Sequence, residues 1–158
     1  MFRIGQSSDI HPLVKGRKLI LGGVEIESEL GLDGHSDGDA LSHAIAESII
    51  GALGEGDLGK HFSDQDIKFK DICSLRIVEQ CAKFMDTKGY QINNIDALIM
   101  IEKPKMAPYI EAMKKNIATA LQCDISLINI KATRGEKLGY VGREEGVLAQ
   151  AVVLLVNK

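Results

Sequence analysis

The chain has 158 residues, enough for one domain with a core that needs neither disulfides nor a structural metal. Its 45% hydrophobic and 26% charged residues and net charge of −3 exclude a disordered or fibrous protein. Its 19 Lys and Arg form no block and aromatics are only 4%, against a nucleic-acid surface, and no apolar run is long enough to span a bilayer.

The opening Met-Phe-Arg-Ile-Gly is neither an apolar leader nor an Arg/Ser-rich one, so a cytoplasmic protein is expected. A short strand is predicted over Phe2–Gln6, then Lys18–Leu21 and Val24–Ile26 as a hairpin turning at Gly22-Gly23. Gly31–Asp39 is too rich in Gly and Asp for a regular element and reads as a loop. A helix follows to about Leu53, with Ser36 and Asp39 spaced as a capping box. Leu75, Val78, Ala82 and Met85 mark a second helix, ended by Gly89. Met106, Ile110, Met113, Ile117 and Leu121 mark a third, with Pro108 in its first turn. Ile95–Ile101, Ile128–Thr133 and Val147–Val156 are rich in β-branched residues and read as strands. Strands alternating with helices predict a single α/β (α+β two-layer) domain over 1–158, one sheet covered by helices. Cys73, Cys81 and Cys123, odd in number and without C-x-x-C spacing, read as reduced core thiols.

Three of the four histidines stand beside carboxylates. Asp9 and His11 are two apart in an extended segment, so both side chains leave the same face. His43 points away from the Leu41-Ile45-Ile49 stripe of its helix, on the side of Asp39 and Glu47. Asp9, His11 and His43 would make a three-ligand site with one position open, the pattern of a catalytic zinc. The alternative is a turn aspartate and a loop histidine before Pro12. His61 has no such spacing and reads as a surface residue. Gly56-Asp-Leu-Gly59 reads as a tight loop able to meet a small polar ligand. Thr133-Arg134-Gly135-Glu136-Lys137 suits a phosphate and a divalent ion, or else a solvated charged turn.

Together these motifs resemble one family closely, the 2-C-methyl-D-erythritol 2,4-cyclodiphosphate synthases of the non-mevalonate isoprenoid pathway. The resemblance runs from Arg3 to Leu155. Its carriers include Asp9-Ile-His11, Leu21-Gly-Gly-Val24, His35-Ser-Asp-Gly-Asp39, His43, Gly56-Asp-Leu-Gly59-Lys60 and Phe62-Ser-Asp64-Gln-Asp66. Lys88-Gly-Tyr90, Pro104-Lys-Met106, Lys131-Ala-Thr133, Glu136-Lys-Leu-Gly139 and Gly142-Arg143 complete them. The length leaves no room for the cytidylyltransferase fused to such enzymes in some bacteria.

The resemblance implies a bacterial cytoplasmic homotrimer, each subunit with a mixed sheet facing the threefold axis and active sites shared between neighbours. Ala46 and Ile50, off the Leu41-Ile45-Ile49 face, and a last strand apolar on both faces are expected to supply apolar surface beyond one core. It implies Zn²⁺ on Asp9, His11 and His43, and Mg²⁺ or Mn²⁺ on Glu136. The 2-phosphate of 4-diphosphocytidyl-2-C-methyl-D-erythritol 2-phosphate would attack the β-phosphorus and release CMP. Asp9, His11, His35 and Ser36 would contact the phosphate side, with His35 stabilising the transition state. Asp57, Leu58 and Gly59, with Phe62, Ser63, Asp64, Gln65 and Asp66, would line the erythritol pocket. Ile101, Glu102, Lys103, Pro104, Lys105, Met106 and Ala107 would hold cytosine, and Thr133, Arg134, Gly135 and Glu136 the cytidine diphosphate. Tyr140 and Arg143 would lie near the axis, where members of the family can hold an isoprenoid diphosphate. Arg134-Gly135 departs from the family's usual Thr-Thr or Thr-Asn, so Arg134 is taken to replace a catalytic hydroxyl. A zinc phosphoesterase and a non-catalytic isoprenoid-diphosphate binder are the rival readings, and neither needs Glu136 with Pro104-Lys105-Met106.

Overall fold

The computed structural model describes all 158 residues. A five-stranded sheet runs in the order β4 (Leu30–Leu32), β1 (Phe2–Lys15), β7 (Gly146–Asn157), β5 (Tyr90–Met100), β6 (Ile128–Thr133). Only β5 and β6 are parallel, so the sheet is mixed. A separate hairpin joins β2 (Leu19–Leu21) to β3 (Val24–Ile26) through Gly22-Gly23, both at positive φ, as the sequence predicts. The helices are α1 (Ala40–Leu53), α2 (Leu58–His61), α3 (Ser74–Thr87), α4 (Ile110–Leu121) and α5 (Gly139–Gly142). None is long and apolar enough to cross a membrane.

Alternation along the strands separates two faces. Val147, Ala149, Ala151, Val153 and Leu155 of β7 are buried beside Ile95, Ala97 and Ile99 of β5, and α1 packs over them. The opposite face carries Phe2, Ile4 and Ile10, which are 66%, 70% and 56% exposed, next to Val152 and Leu154. Contact between α1 and β1 is closest at Gly5, where a Cβ would sit 1.8 Å from the Ser48 carbonyl oxygen. Only glycine fits there.

Several sequence expectations are corrected. The first strand continues to Lys15 and does not stop at Gln6, because Ser7, Ser8 and Asp9, weak strand formers, still pair with Ala151, Gln150 and Ala149 of β7. The predicted loop 31–39 begins inside β4, whose Leu30–Leu32 pairs with the far end of β1. Ser36 is not a helix cap: Asp39 is, accepting the Ser42 N–H at 3.0 Å. Ala46 and Ile50 are fully buried within the chain, since α1 lies against both the sheet and α3. They leave no surplus apolar surface. Met106 precedes a 3₁₀ turn over Ala107–Tyr109, and the third predicted helix proper starts at Ile110. Of the three free thiols only Cys81 is a core group, its pKa pushed up to about 12 by burial, while Cys73 is exposed and Cys123 half-buried. His61 is half-buried, with Nε2 3.0 Å from the Glu55 carbonyl and its ring 5.3 Å from that of Phe84.

Candidate functional site

Odd-numbered residues of β1 face the helices, which puts Asp9 and His11 on the same side as α1. His43 comes from the first turn of α1, and Asp39 sets where that helix begins. The buried Asp39 carboxylate accepts the N–H groups of Gly22 (2.9 Å), Gly23 (2.7 Å) and Ser42 (3.0 Å) and the Ser42 hydroxyl (2.7 Å). Burial pushes its pKa up although these donors oppose the shift. With both oxygens used, Asp39 is a structural anchor. Glu47, one turn beyond His43, is likewise taken by the Ser7 hydroxyl and the Leu58 N–H.

His11 Nε2 lies 2.9 Å from Asp9 Oδ2, His43 Nδ1 lies 3.2 Å from the same oxygen, and the two nitrogens are 3.2 Å apart. Ligands held about 2.0–2.1 Å from a tetrahedral zinc ion stand about 3.3 Å from one another, so this triangle has nearly the size such an ion requires. The donor chemistry agrees. His11 Nδ1 donates to the Asp33 carbonyl at 2.6 Å, and His43 Nε2 is bonded to the hydroxyls of Ser74 (2.8 Å) and Ser36 (3.0 Å). Each ring thus turns its remaining nitrogen toward Asp9. Burial pushes the Asp9 carboxyl up, but its pairing with His11 and His43 outweighs this and holds the group at about 2. At His11 burial favours the neutral ring, yet the bond to Asp9 and its charge raise the pKa above the ordinary 6.5. The same arrangement that favours a proton on His11 in the metal-free protein would favour a cation at this place.

Of the other phosphate-side candidates, Ser36 is buried against His43, while His35 is exposed with Nε2 3.4 Å from the Asp66 carbonyl. Gly56–Gly59 is less a loop than a helix start: Asp57 caps α2 by accepting the Lys60 N–H at 2.9 Å. Leu58 and Gly59 open that helix, Phe62 meets Phe69 edge to face with ring centroids 5.4 Å apart, and Ser63, Asp64 and Gln65 form the turn that leads to Asp66.

A second constellation lies at the carboxyl ends of the parallel strands β5 and β6. A cleft of about 640 Å³ brings Ile101–Ala107 together with Thr133, Arg134 and Glu136. Lys103, Lys105 and Arg134 line it together with Glu102 and Glu136, so cations outnumber carboxylates on its walls by three to two. Glu102 accepts the Gly135 N–H at 2.9 Å, and Gly135 packs so tightly on Gly142 that a Cβ would lie 2.5 Å from the Gly142 nitrogen. Glu136 and Lys137 follow with φ of 52° and 62°, two successive left-handed non-glycine residues, a strain that gathers at functional segments. None of Asp9, His11 and His43 lines this cleft. Tyr140 and Arg143 belong to the next turn, where the Tyr140 ring rests on Gly146 and Arg143 pairs with Glu145.

The sequence did not single out Ser74 or Arg17, and it marked Asp37 only as a carboxylate within the His35–Asp39 motif. Arg17 donates to the carbonyls of Leu32, Gly34 and Ser36 and so holds the loop that carries His35. No spacing rule signals these residues, because each acts through a segment distant in the chain.

The YgbB family model matches residues 2–156. The chain is 54% identical to a 2-C-methyl-D-erythritol 2,4-cyclodiphosphate synthase of a Geobacillus strain over the whole length of both, and 54% identical to that of Bacillus subtilis over 98% of each. Among solved structures it superposes on the bifunctional IspDF protein of Campylobacter jejuni with a TM-score of 0.96 at 39% identity, covering all of this chain and 43% of that one. It superposes on the IspF–CDP complex of Plasmodium falciparum with a TM-score of 0.87 at 34% identity, over 99% and 97% of the two chains.

The His11 shift has a measurable sign. A histidine whose pKa is raised in the folded state stabilises the metal-free protein below the unfolded value of 6.5 and loses that contribution as pH rises through the folded value. After chelator treatment the melting temperature is expected to fall between pH 6 and pH 8 more steeply in wild type than in His11→Gln. Added Zn²⁺ is expected to raise it more at pH 8 than at pH 6, because a proton no longer competes. Equal slopes in the two proteins would show that His11 does not hold the proton.

Proposed function

Since the chain belongs to the YgbB family, whose relatives above are 2-C-methyl-D-erythritol 2,4-cyclodiphosphate synthases, we propose that its two constellations are the phosphate and nucleotide halves of one such active site. It is an enzyme of the lyase class, acting in the non-mevalonate route to isoprenoids. The observation that carries the division is the cationic cleft of Ile101–Ala107 with Thr133, Arg134 and Glu136, separate from the Asp9–His11–His43 triangle. The substrate, 4-diphosphocytidyl-2-C-methyl-D-erythritol 2-phosphate, has a nucleotide at one end and a phosphate at the other. The relative from Plasmodium falciparum was solved with CDP, the nucleotide part of such a molecule.

Asp9, His11 and His43 would hold Zn²⁺, and Glu136 a second, oxygen-preferring ion, Mg²⁺ or Mn²⁺. When bound, these cations supply the positive charge that neutralises and orients the phosphates. The chain's own groups fold the substrate back on itself. Ile101–Ala107 present backbone groups and the Pro104 and Met106 side chains to cytosine, and Thr133 and Arg134 face the diphosphate. Ser36, bonded to His43 in the triangle, and the exposed His35 before it would face the 2-phosphate, and Asp57–Gly59 with Phe62–Asp66 would enclose the erythritol. An oxygen of the 2-phosphate attacks the β-phosphorus, the bond from that phosphorus to the oxygen bridging to the α-phosphorus breaks, and CMP leaves with that oxygen. Attacker and target belong to one bound molecule, so catalysis consists of alignment and charge cancellation. No water is consumed. In ¹⁸O-water the CMP and the cyclic diphosphate are therefore expected to remain unlabelled, and label in an acyclic product would instead mark a phosphoesterase.

The assembly that joins the two halves is a homotrimer packed through the open sheet face. Phe2, Ile4 and Ile10 are exposed there with Val152, apolar side chains interrupted by Gln6, Ser8 and Gln150, on a face of the kind an interface covers. Mixing inactive His43→Ala with inactive Glu136→Ala and allowing chains to exchange is expected to restore part of the activity, because some sites then draw both intact halves from different subunits. No recovery, or full activity in a particle of one-chain mass by light scattering, would overturn the shared site.

Arg134 stands in the cleft where a hydroxyl is usual, and its guanidinium can hold two phosphate oxygens at once. A charge-assisted contact of about 1.5–3 kcal/mol corresponds to a roughly 10- to 150-fold loss of kcat/KM in Arg134→Thr. A change below about threefold at low salt would show that the side chain serves only as a surface cation.

A further inference from the structure

The histidine triangle is built from β1 and α1, yet the side chain that fixes one of its rings comes from a third element. Ser74 is the first residue of α3 and is fully buried. Its backbone N–H donates to Asp37 Oδ2 at 2.9 Å, and its hydroxyl donates to the other oxygen of the same carboxylate. Asp37 Oδ1 also accepts the Asp39 N–H at 3.1 Å, so this carboxylate is surrounded by donors and acts as an acceptor. The bonds from the Asp37 N–H to the Ile72 carbonyl and from the Asp71 N–H to the His35 carbonyl lock the loop before α1 to the segment before α3.

A hydroxyl has one proton. Having given it to Asp37, Ser74 Oγ can only accept from His43 Nε2, which lies 2.8 Å away. Nε2 is therefore the protonated nitrogen, and the lone pair of the neutral ring sits at Nδ1, the atom that faces Asp9 and His11. Ser36 Oγ lies 3.0 Å from the same Nε2, but its remaining neighbours, the Gly38 N–H and Ser74 Oγ, are each 3.4 Å away and do not fix its own proton. The polarity of the network is set at Asp37.

We propose that Ser74, polarised by Asp37, is a positioning residue of the metal centre: its oxygen holds the His43 N–H and so presents Nδ1 as a ligand. The inference rests on the reading of Asp9, His11 and His43 as metal ligands. It makes α3 a third support of the site, in the role the Asp33 carbonyl plays for His11.

Zinc affinity of the full-length protein, measured by competition with a chromogenic chelator, tests this without recourse to turnover. Ser74→Ala keeps the N–H donated to Asp37 and removes the hydroxyl, which is both the acceptor of the His43 N–H and a donor to Asp37. Its affinity is expected to fall about 10- to 100-fold, with an altered absorption spectrum for bound Co²⁺, while Ser74→Thr restores wild-type affinity to within about threefold. Asp37→Asn, which can donate toward the hydroxyl and so undo its polarity, is expected to weaken zinc binding in the same direction, and it serves as the deciding variant if Ser74→Ala does not fold. Wild-type affinity to within threefold in a folded Ser74→Ala or in Asp37→Asn overturns the positioning role, as does a lowered melting temperature with unchanged affinity. A wild-type protein that takes up no zinc would instead overturn the metal reading itself.

Discussion

The buried carboxylate of Asp39 is the constraint from which the histidine triangle follows. Its two oxygens accept four hydrogen bonds, from the turn of the β2–β3 hairpin and from the start of α1. A carboxylate out of water is tolerated only when its lone pairs are met, and here they are met by groups that have no other partner at a turn and a helix start. The position of α1 along the sheet is thereby set, and with it the direction of His43 one turn later. Gly5 sets how closely the helix approaches: a single methyl group would strike the Ser48 carbonyl, and the helix would lift from β1. Anchor and contact act on the same helix, one at its start and one near its end, and the histidine triangle needs both.

The sheet divides its labour between faces. The side under α1 holds the core and, at the rim, Asp9 and His11. The other side remains apolar without cover from its own chain. Burial on one face and incomplete cover on the other come from the same alternation along β1 and β7, in which polar residues such as Gln6, Ser8 and Gln150 interrupt but do not dominate the open side. The two constellations are placed apart in the same way, the cleft where β5 and β6 end and the triangle where β1 meets α1.

Around both halves, strain and polarity are held by neighbours distant in sequence. Glu136 and Lys137 keep left-handed backbones because Glu102 and the glycine-on-glycine contact of Gly135 with Gly142 brace the loop from either side. The low pKa of Asp9 and the raised one of His11 have one origin, a negative charge set between two imidazoles that are both oriented from outside, by the Asp33 carbonyl and by Ser74.

Much of this was legible in the chain alone. The 3.6 period of α3 and α4, the Gly-Gly turn and the β-branched runs of β5, β6 and β7 are local signals, written in residues that are neighbours in sequence. The two-residue spacing of Asp9 and His11 placed them on one face because a strand has period two. The length of β1, the identity of the α1 cap and the burial of Ala46 and Ile50 were not legible. A strand of weak formers persists only because β7 lies beside it, a cap is chosen by which acceptor meets the helix N–H groups, and a helix is buried all round only when a second layer covers it. For the same reason the sequence pointed to His43 but not to Ser74. Ligand chemistry shows in residue type, whereas the hydrogen bond that orients a ligand joins residues 31 positions apart and exists only once α1 and α3 have packed.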